Sequence, residues 1–195
     1  VRLKRNVGSQ AALTVGLRHH LDTASDTGLI IFMDSDGEDP PEALPKLLAN
    51  WEESRILVAS RGTRVTSLRF KIGYAVFRLF FNLMTGRMVN FGNFMCMSHQ
   101  QAQRLAKLEE TFLSLPASVL ISGHGIKQIQ IDRAARIDGV SRMNFVGLIR
   151  HGINCIRVFR EESLIRIGLF ALVSLFLLLL MCLATIGLKL YGSTV

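Results

Sequence analysis

From Ile167 to Leu188 the chain runs for 22 residues without a single charge, IGLFALVSLFLLLLMCLATIGL. As a helix this run is about 33 Å long at roughly 1.5 Å of rise per residue, which spans a hydrocarbon core of about 30 Å. It is apolar all round, so it is not the one-faced helix of a water-soluble core. The chain is therefore expected to hold a transmembrane helix near its C-terminal end and a separate unit before it. Charge sets the orientation. Arg133, Arg136, Arg142, Arg150, Arg157, Arg160 and Arg166 precede the run, whereas only Lys189 follows it. The positive-inside rule keeps the residues before the run on the cytoplasmic side.

The same distribution limits the functional classes. The chain carries 23 basic and 15 acidic residues, a formal net charge of +8. So basic a chain invites a nucleic-acid reading, but its positive charge gathers beside the membrane run, so nucleic acid is not an expected partner. Cys96, Cys155 and Cys182 lack metal-ligand spacing and read as reduced, structural residues. His19 and His20 are adjacent on an expected helix and point apart, which argues against a histidine metal site. Nothing at the start resembles a signal peptide. VRLKRNVGSQAA has no initiator Met and reads as entered mid-sequence, so an N-terminal portion is expected upstream.

Residues 6–22 carry apolar positions at helical spacing, with Asn6 as a candidate cap. The run GLIIFMD (28–34) reads as a strand buried on both faces. Pro40 and Pro41 open an expected helix over 41–53, Pro being tolerated in a first turn, and ILVAS (56–60) reads as a second buried strand. This alternation predicts an α/β domain with parallel pairing. A long helix follows over 67–86, closed by Gly86. Its apolar content exceeds one core face, leaving lipid, another subunit and plain core packing as readings. FGNFMCMS reads as a strand, helices follow near 99–108 and 112–122, and IKQIQID (126–132) alternates as an edge strand would. MNFVGLIRHGINCIRVF (143–159) is an amphipathic helix directly before the membrane run and reads as interfacial.

Against the basic background, MDSDGEDPPE (33–42) packs Asp34, Asp36, Glu38, Asp39 and Glu42 into ten residues, five of the chain's 15 acids. In open α/β sheets ligands bind outside the carboxyl ends of strands. Asp34 and Asp36 stand at such an end, and two carboxylates so spaced can converge on one hard divalent cation, Mg²⁺ or Mn²⁺, which would neutralise a diphosphate. Their mutual repulsion is costly unless a cation is present. The alternative, that the acids cap the helix starting at Pro40, suits Asp39 and Glu42. Glu38 has no assigned role.

D-x-D-G after an apolar strand also resembles the haloacid-dehalogenase-like phosphatases, but Glu38 breaks that pattern and the later acids offer no strand-end pair. A broader resemblance is to the family 2 glycosyltransferases, closest to the membrane-anchored polyprenyl-phosphate (dolichyl-phosphate mannose synthase-like) group. Asp34-Ser35-Asp36 with Asp39-Pro40-Pro41-Glu42 resembles its D-x-D…(D/H)-P-P-E motif. Asn6-x-Gly8 with Ala11, Ala12 and Gly16 resembles its N-x-G…A…G helix. Ser60-Arg61 with Arg64, Arg69 and Lys71 is similar to its basic segment after the next strand. Asn90-Phe91-Gly92-Asn93-Phe94 falls where the family has D-x-G-D-F. Arg133, Arg136 and Gly139-Val140-Ser141-Arg142 resemble its R…R-x-x-G-x-S-K segment.

The resemblance implies a GT-A (Rossmann-like) glycosyltransferase domain, N-terminally truncated and partial, over 1–142. A juxtamembrane amphipathic helix over 143–163 and a transmembrane helix over 164–190 would follow. It implies an inverting enzyme that moves a hexose from a nucleotide-sugar to a polyprenyl phosphate or similar membrane acceptor. Asp34 and Asp36 would lie at the metal and diphosphate. Asp36, Asn90 and Asn93 are the candidate catalytic residues. Arg61, Arg64, Arg69, Lys71, Arg133, Arg136, Ser141 and Arg142 are candidates for substrate or phosphate, since arginine suits bidentate phosphate contacts; Arg133, Arg136 and Arg142 serve equally as membrane-surface anchors. The expected location is a bacterial inner membrane with the catalytic part cytoplasmic, and a homo-oligomer is a possible assembly.

Two departures bear on catalysis. Both acids of D-x-G-D-F are amides here, which removes an obvious general base; a lipid phosphate is already anionic and needs positioning and charge stabilisation more than a base. The family's first strand, which binds the nucleotide base, has no counterpart. Both departures also suit a catalytically silent membrane scaffold or subunit.

Overall fold

The computed structural model describes residues 2–24, 28–61, 68–137 and 145–192. Four strands form one sheet in the order β1-β3-β2-β4, comprising β1 (Leu29–Phe32), β2 (Arg55–Arg61), β3 (Phe91–Ser98) and β4 (Gly125–Ile131). The expected parallel pairing forms at one junction and fails at the other two. β3 lies between β1 and β2, antiparallel to both, so β1, β2 and β4 share one direction and the one parallel neighbouring pair is β2–β4. Hydrophobic alternation fixes which face a side chain takes and leaves open which strand lies beside it. β4 is an edge strand, as its alternation predicts. β1 is the other edge and is only partly buried, so it is not a strand covered on both faces. An open groove of about 590 Å³ follows its outer side, lined by Leu13, Leu17, Ile30 and Phe32 and reaching Asp34.

Period-two alternation builds two cores from the same strands. Ile56 and Val58 of β2 join Met95 and Met97 of β3 on one face. There they meet Leu17 of α1 (Ser9–Thr23), Leu105 of α4 (His99–Ala106) and Val119 of α5 (Leu115–Ile121). Leu57, Ala59, Phe94 and Cys96 face the other way, onto Leu47 of α2 (Leu44–Ala49). Helices thus cover both faces of the sheet.

Local chemistry corrects two boundaries. Asn6 does not cap α1; its Oδ1 accepts from the Gly8 backbone N–H at 2.9 Å, and Gly8, at φ 84°, is the cap. The helix expected over 41–53 is a 3₁₀ turn, Pro41–Ala43, followed by the short α2, whose end Asn50 closes by donating Nδ2 to the Lys46 carbonyl at 2.9 Å.

A third cluster stands apart from the sheet. Phe81 of α3 (Leu68–Thr85) meets Phe159 edge-on at 5.8 Å, with Cys155 and Val158 of α6 (Phe145–Val158) around them. α7 (Arg160–Gly192) continues from there as a helix long and apolar enough to cross a membrane, with a mean hydropathy of 2.9 in its apolar window, none of it buried by the protein.

Candidate functional site

The register of β1 on β3 places the central pair of the site. Ile31 faces Cys96 and Phe32 faces Met95, so two residues further on Asp34 falls opposite Asn93. Asn93 Nδ2 donates to Asp34 Oδ1 at 3.2 Å. A bulge in β3 supports this placement. Val58 pairs with Met95 and Ser60 with Phe91, so β3 spends four steps where β2 spends two. The two extra residues bow β3 out around Asn93, as bulges beside active sites do.

Asn93 is held from behind. Gln10 Nε2 donates to Asn93 Oδ1 at 3.1 Å, while Gln10 Oε1 accepts from the Leu115 backbone N–H at 2.7 Å, one of the unpaired donors at the start of α5. The chain Leu115–Gln10–Asn93–Asp34 fixes which end of the Asn93 amide faces Asp34. A carboxylate at 93 would set two negative charges against each other there. The amides of the sequence thus differ: Asn93 sits in the site, whereas Asn90 is exposed before β3 and makes none of these hydrogen bonds.

The acidic turn divides by burial. The side chains of Asp34 and Asp36 are 31% and 30% exposed, those of Glu38 and Asp39 only 4% and 5%. Asp39 does not cap the next helix. Its Oδ2 accepts from the Asp34 backbone N–H at 2.8 Å, and Asp36 Oδ1 accepts from the Glu38 backbone N–H at 3.0 Å, so the turn is wound on its own carboxylates. Glu42 stays exposed in the first turn of the following 3₁₀ segment.

Two arginines answer the four acids. Arg133 pairs with Glu38, with Asp34 Oδ2 at 3.3 Å and with Asp39 Oδ1 at 3.6 Å. Arg136 reaches Glu38 Oε1 at 2.9 Å and Asp36 Oδ2 at 3.0 Å. Backbone bonds lace the same two loops together: Ala134 N–H to the Glu38 carbonyl at 3.0 Å and Ile137 N–H to the Asp36 carbonyl at 3.1 Å. Gly37 at φ 84° makes this possible, because a Cβ there would collide with the Ile137 side chain. Glu38, which the sequence left without a role, is the buried anchor of the network. Arg133 and Arg136 both pair with the acidic turn.

Summed over these residues, four carboxylates and two guanidiniums leave a charge of −2, which one divalent cation would balance. Asp34 and Asp36, each about a third exposed, present hard oxygen donors of the kind Mg²⁺ and Mn²⁺ take. Among the described residues no group of three or more His, Cys, Asp or Glu could hold a metal by itself. A cation there would complete its shell with other oxygens. Ser60, Gly92, Asp132 and Arg133 line a narrow cleft beside Asn93. Cys96 behind it is no nucleophile, because burial pushes its thiol up to about 11.

Arg64, Ser141 and Arg142 lie outside the described residues, as do the side chains of Arg61, Arg69 and Lys71. Of the other candidates, Asp34, Asp36, Asn93, Arg133 and Arg136 come together and Asn90 does not. Gln10, Glu38 and Asp39 are the members that sequence reading missed. Their partners lie far along the chain or are backbone groups, and only the polarity of Gln10 beside two alanines hints at a role.

A mixed α/β sheet with a paired-acid turn at the carboxyl end of one strand, faced by arginines, fits the glycosyltransferase domains that the order of motifs resembles. Residues 1–112 match the family described as Glycosyl transferase family 2, and the chain belongs to that family. Among its relatives is the bactoprenol glucosyl transferase of Shigella phage SfX, 30% identical over 173 residues, which cover 85% of this chain and 55% of the relative. Another is the undecaprenyl-phosphate 4-deoxy-4-formamido-L-arabinose transferase of Salmonella paratyphi B, 29% identical over 154 residues, covering 76% of this chain and 45% of the relative. The chain thus spans about half the length of the curated relatives it matches.

Proposed function

We propose that the chain is the catalytic part of an inverting glycosyltransferase. It would move a hexose from a nucleotide-sugar to a polyprenyl phosphate on the cytoplasmic face of a bacterial inner membrane. The observation that carries this reading is the acidic turn, where Asp34 and Asp36 stay partly exposed at a strand end while Glu38 and Asp39 are buried against arginines. Family membership and two relatives named for polyprenyl carriers support it. We take 1–142 as the catalytic unit, 143–163 as the juxtamembrane helix and 164–190 as the membrane span.

In this reading Asp34 and Asp36 hold Mg²⁺ or Mn²⁺, which when bound supplies positive charge to the leaving diphosphate. The protein's own groups do the rest. Gln10 and Asn93 hold the Asp34 carboxylate in one orientation. Among the described residues, Arg133 and Arg136 already pair with the turn and are the basic groups offered to a diphosphate there. The acceptor phosphate oxygen attacks the anomeric carbon, the bond from that carbon to the nucleoside diphosphate breaks, and the electron pair leaves with the diphosphate. The attacking oxygen is anionic, so no protein base is required and the Asn90 and Asn93 amides are compatible with the reaction.

A second reading, a catalytically silent membrane subunit, draws on those same amides. The test uses the full-length protein in detergent. Nucleotide-sugar binding should require a divalent cation and be lost in Asp36→Asn; binding that ignores the cation, or none at all, overturns the catalytic reading.

A further inference from the structure

α5 serves two clusters at once. Leu115 and Val119 join the sheet core with Met95 and Met97, while Ala117 packs with Cys155 and Val158 of α6 and Phe81 of α3. Leu115 through Val119 are buried, so the backbone donors at the start of α5 need partners within the protein. Pro116 brings no N–H. The Ala117 N–H donates to Ser114 Oγ at 3.4 Å and the Ser118 N–H to the Ser114 carbonyl at 3.0 Å. The Leu115 N–H donates to Gln10 Oε1 at 2.7 Å. Every donor of this first turn thus depends on Ser114 or Gln10.

Ser114 has a further neighbour. Cys155 of α6 donates its Sγ–H to Ser114 Oγ at 3.4 Å. Burial pushes the Cys155 thiol up, so it stays protonated and remains a donor. A continuous line therefore runs from α6 through Ser114 and the Leu115 N–H to Gln10, Asn93 and Asp34. The line carries polarity as well as position, because an amide has one donor end and one acceptor end. The Leu115 N–H claims the oxygen of Gln10, which turns a donor to Asn93, which in turn offers a donor to Asp34. Phe159 alone separates α6 from α7, so the far end of the line stands beside the long apolar helix.

We propose that the start of α5 is a positioning joint, at which Gln10, Ser114 and Cys155 tie the packing of α6 to the geometry of Asp34. The proposal rests on the reading of Asp34 as a cation ligand and adds a control on that ligand. None of the three residues touches the cation. A shift of α6 against α5 reaches it through them, since removing a group that orients a metal ligand weakens the metal.

Mn²⁺ binding to the full-length protein in detergent, followed by the electron paramagnetic resonance signal of the free ion, tests the joint. Gln10→Leu should raise the Mn²⁺ dissociation constant about tenfold, the low end for losing such an orienting group. Ser114→Ala and Cys155→Ala should each raise it about threefold, as for members of a coupled network further from the ligand. Neither should add to the effect of Gln10→Leu, because groups in one network act non-additively. Val119→Ala, buried in the same helix but off the line, loosens α5 and should leave the constant unchanged. Cys155→Ala keeps the Ser114 cap on Ala117, so it carries the α6 arm if Ser114→Ala does not fold. Unchanged affinity in Gln10→Leu, or in both Ser114→Ala and Cys155→Ala, overturns the joint and leaves the cation reading standing. Additive effects overturn it too, as does a loss in Val119→Ala as large as that in Ser114→Ala, which would mean general loosening. If the wild-type protein binds no Mn²⁺, or Asp34→Asn binds it equally well, the cation reading fails and takes the joint with it.

Discussion

In the turn over 34–39, four carboxylates pack among two guanidiniums, and two of the four are almost wholly buried. On α3 and α6, Leu79, Phe80, Leu83, Ile149 and Ile153 stand in the open, and every formal charge is positive. Judged by burial alone, the first region is an interior and the second a surface, yet their chemistry is the reverse of a water-soluble domain. Charge tolerates burial at the turn because each acid has a guanidinium or backbone N–H beside it. Apolar side chains tolerate exposure on the helices if their surroundings are not water. Polarity here follows the intended neighbour rather than the depth.

Substitutions at three positions break or sharpen that contrast. Arg133→Ala strips the main counter-charge from Glu38 and Asp39 and should cost about 3 kcal/mol of stability, the low end for a broken buried pair because Arg136 remains. Thermal unfolding in detergent measures it, and Arg133→Lys should fall between, keeping the charge without the fork. Asn93→Asp removes a donor and sets a carboxylate against Asp34, for a loss of about 1–3 kcal/mol. Added Mn²⁺ should recover part of that loss; no recovery would speak against a cation at Asp34. Leu83→Gln should change stability in detergent by no more than about 0.5 kcal/mol. A loss as large as that of Arg133→Ala would mean that Leu83 packs inside the protein, and the contrast would collapse.

How much of this was legible in the sequence depends on the range of each interaction. The long uncharged run, the helix expected over 67–86 and found as Leu68–Thr85, and the strand FGNFMCMS follow from local periodicity and punctuation. The Asp34–Asp36 pair was legible because spacing alone brings it to a strand end. Sheet order was not, since β1 and β2 carry the same apolar signal whether they are neighbours or flank β3. Asp39 misled because a carboxylate before Pro-Pro suits a helix cap, whereas its nearer option, the Asp34 N–H, depends on how the turn winds. Glu38 and Gln10 had partners 95 and 105 residues away, beyond any local pattern.

The bulge in β3 has a consequence for how this sequence can change in length. Its two extra residues are an even number, so Phe91 stays on the same face as Met95 and Met97. Deleting one residue there would turn one arm of the strand over and send its core side chains to the wrong layer. Deleting both would keep every layer intact and straighten the strand, withdrawing Asn93 from Asp34. The fold would accept that shortening, and the cost would fall on the site alone.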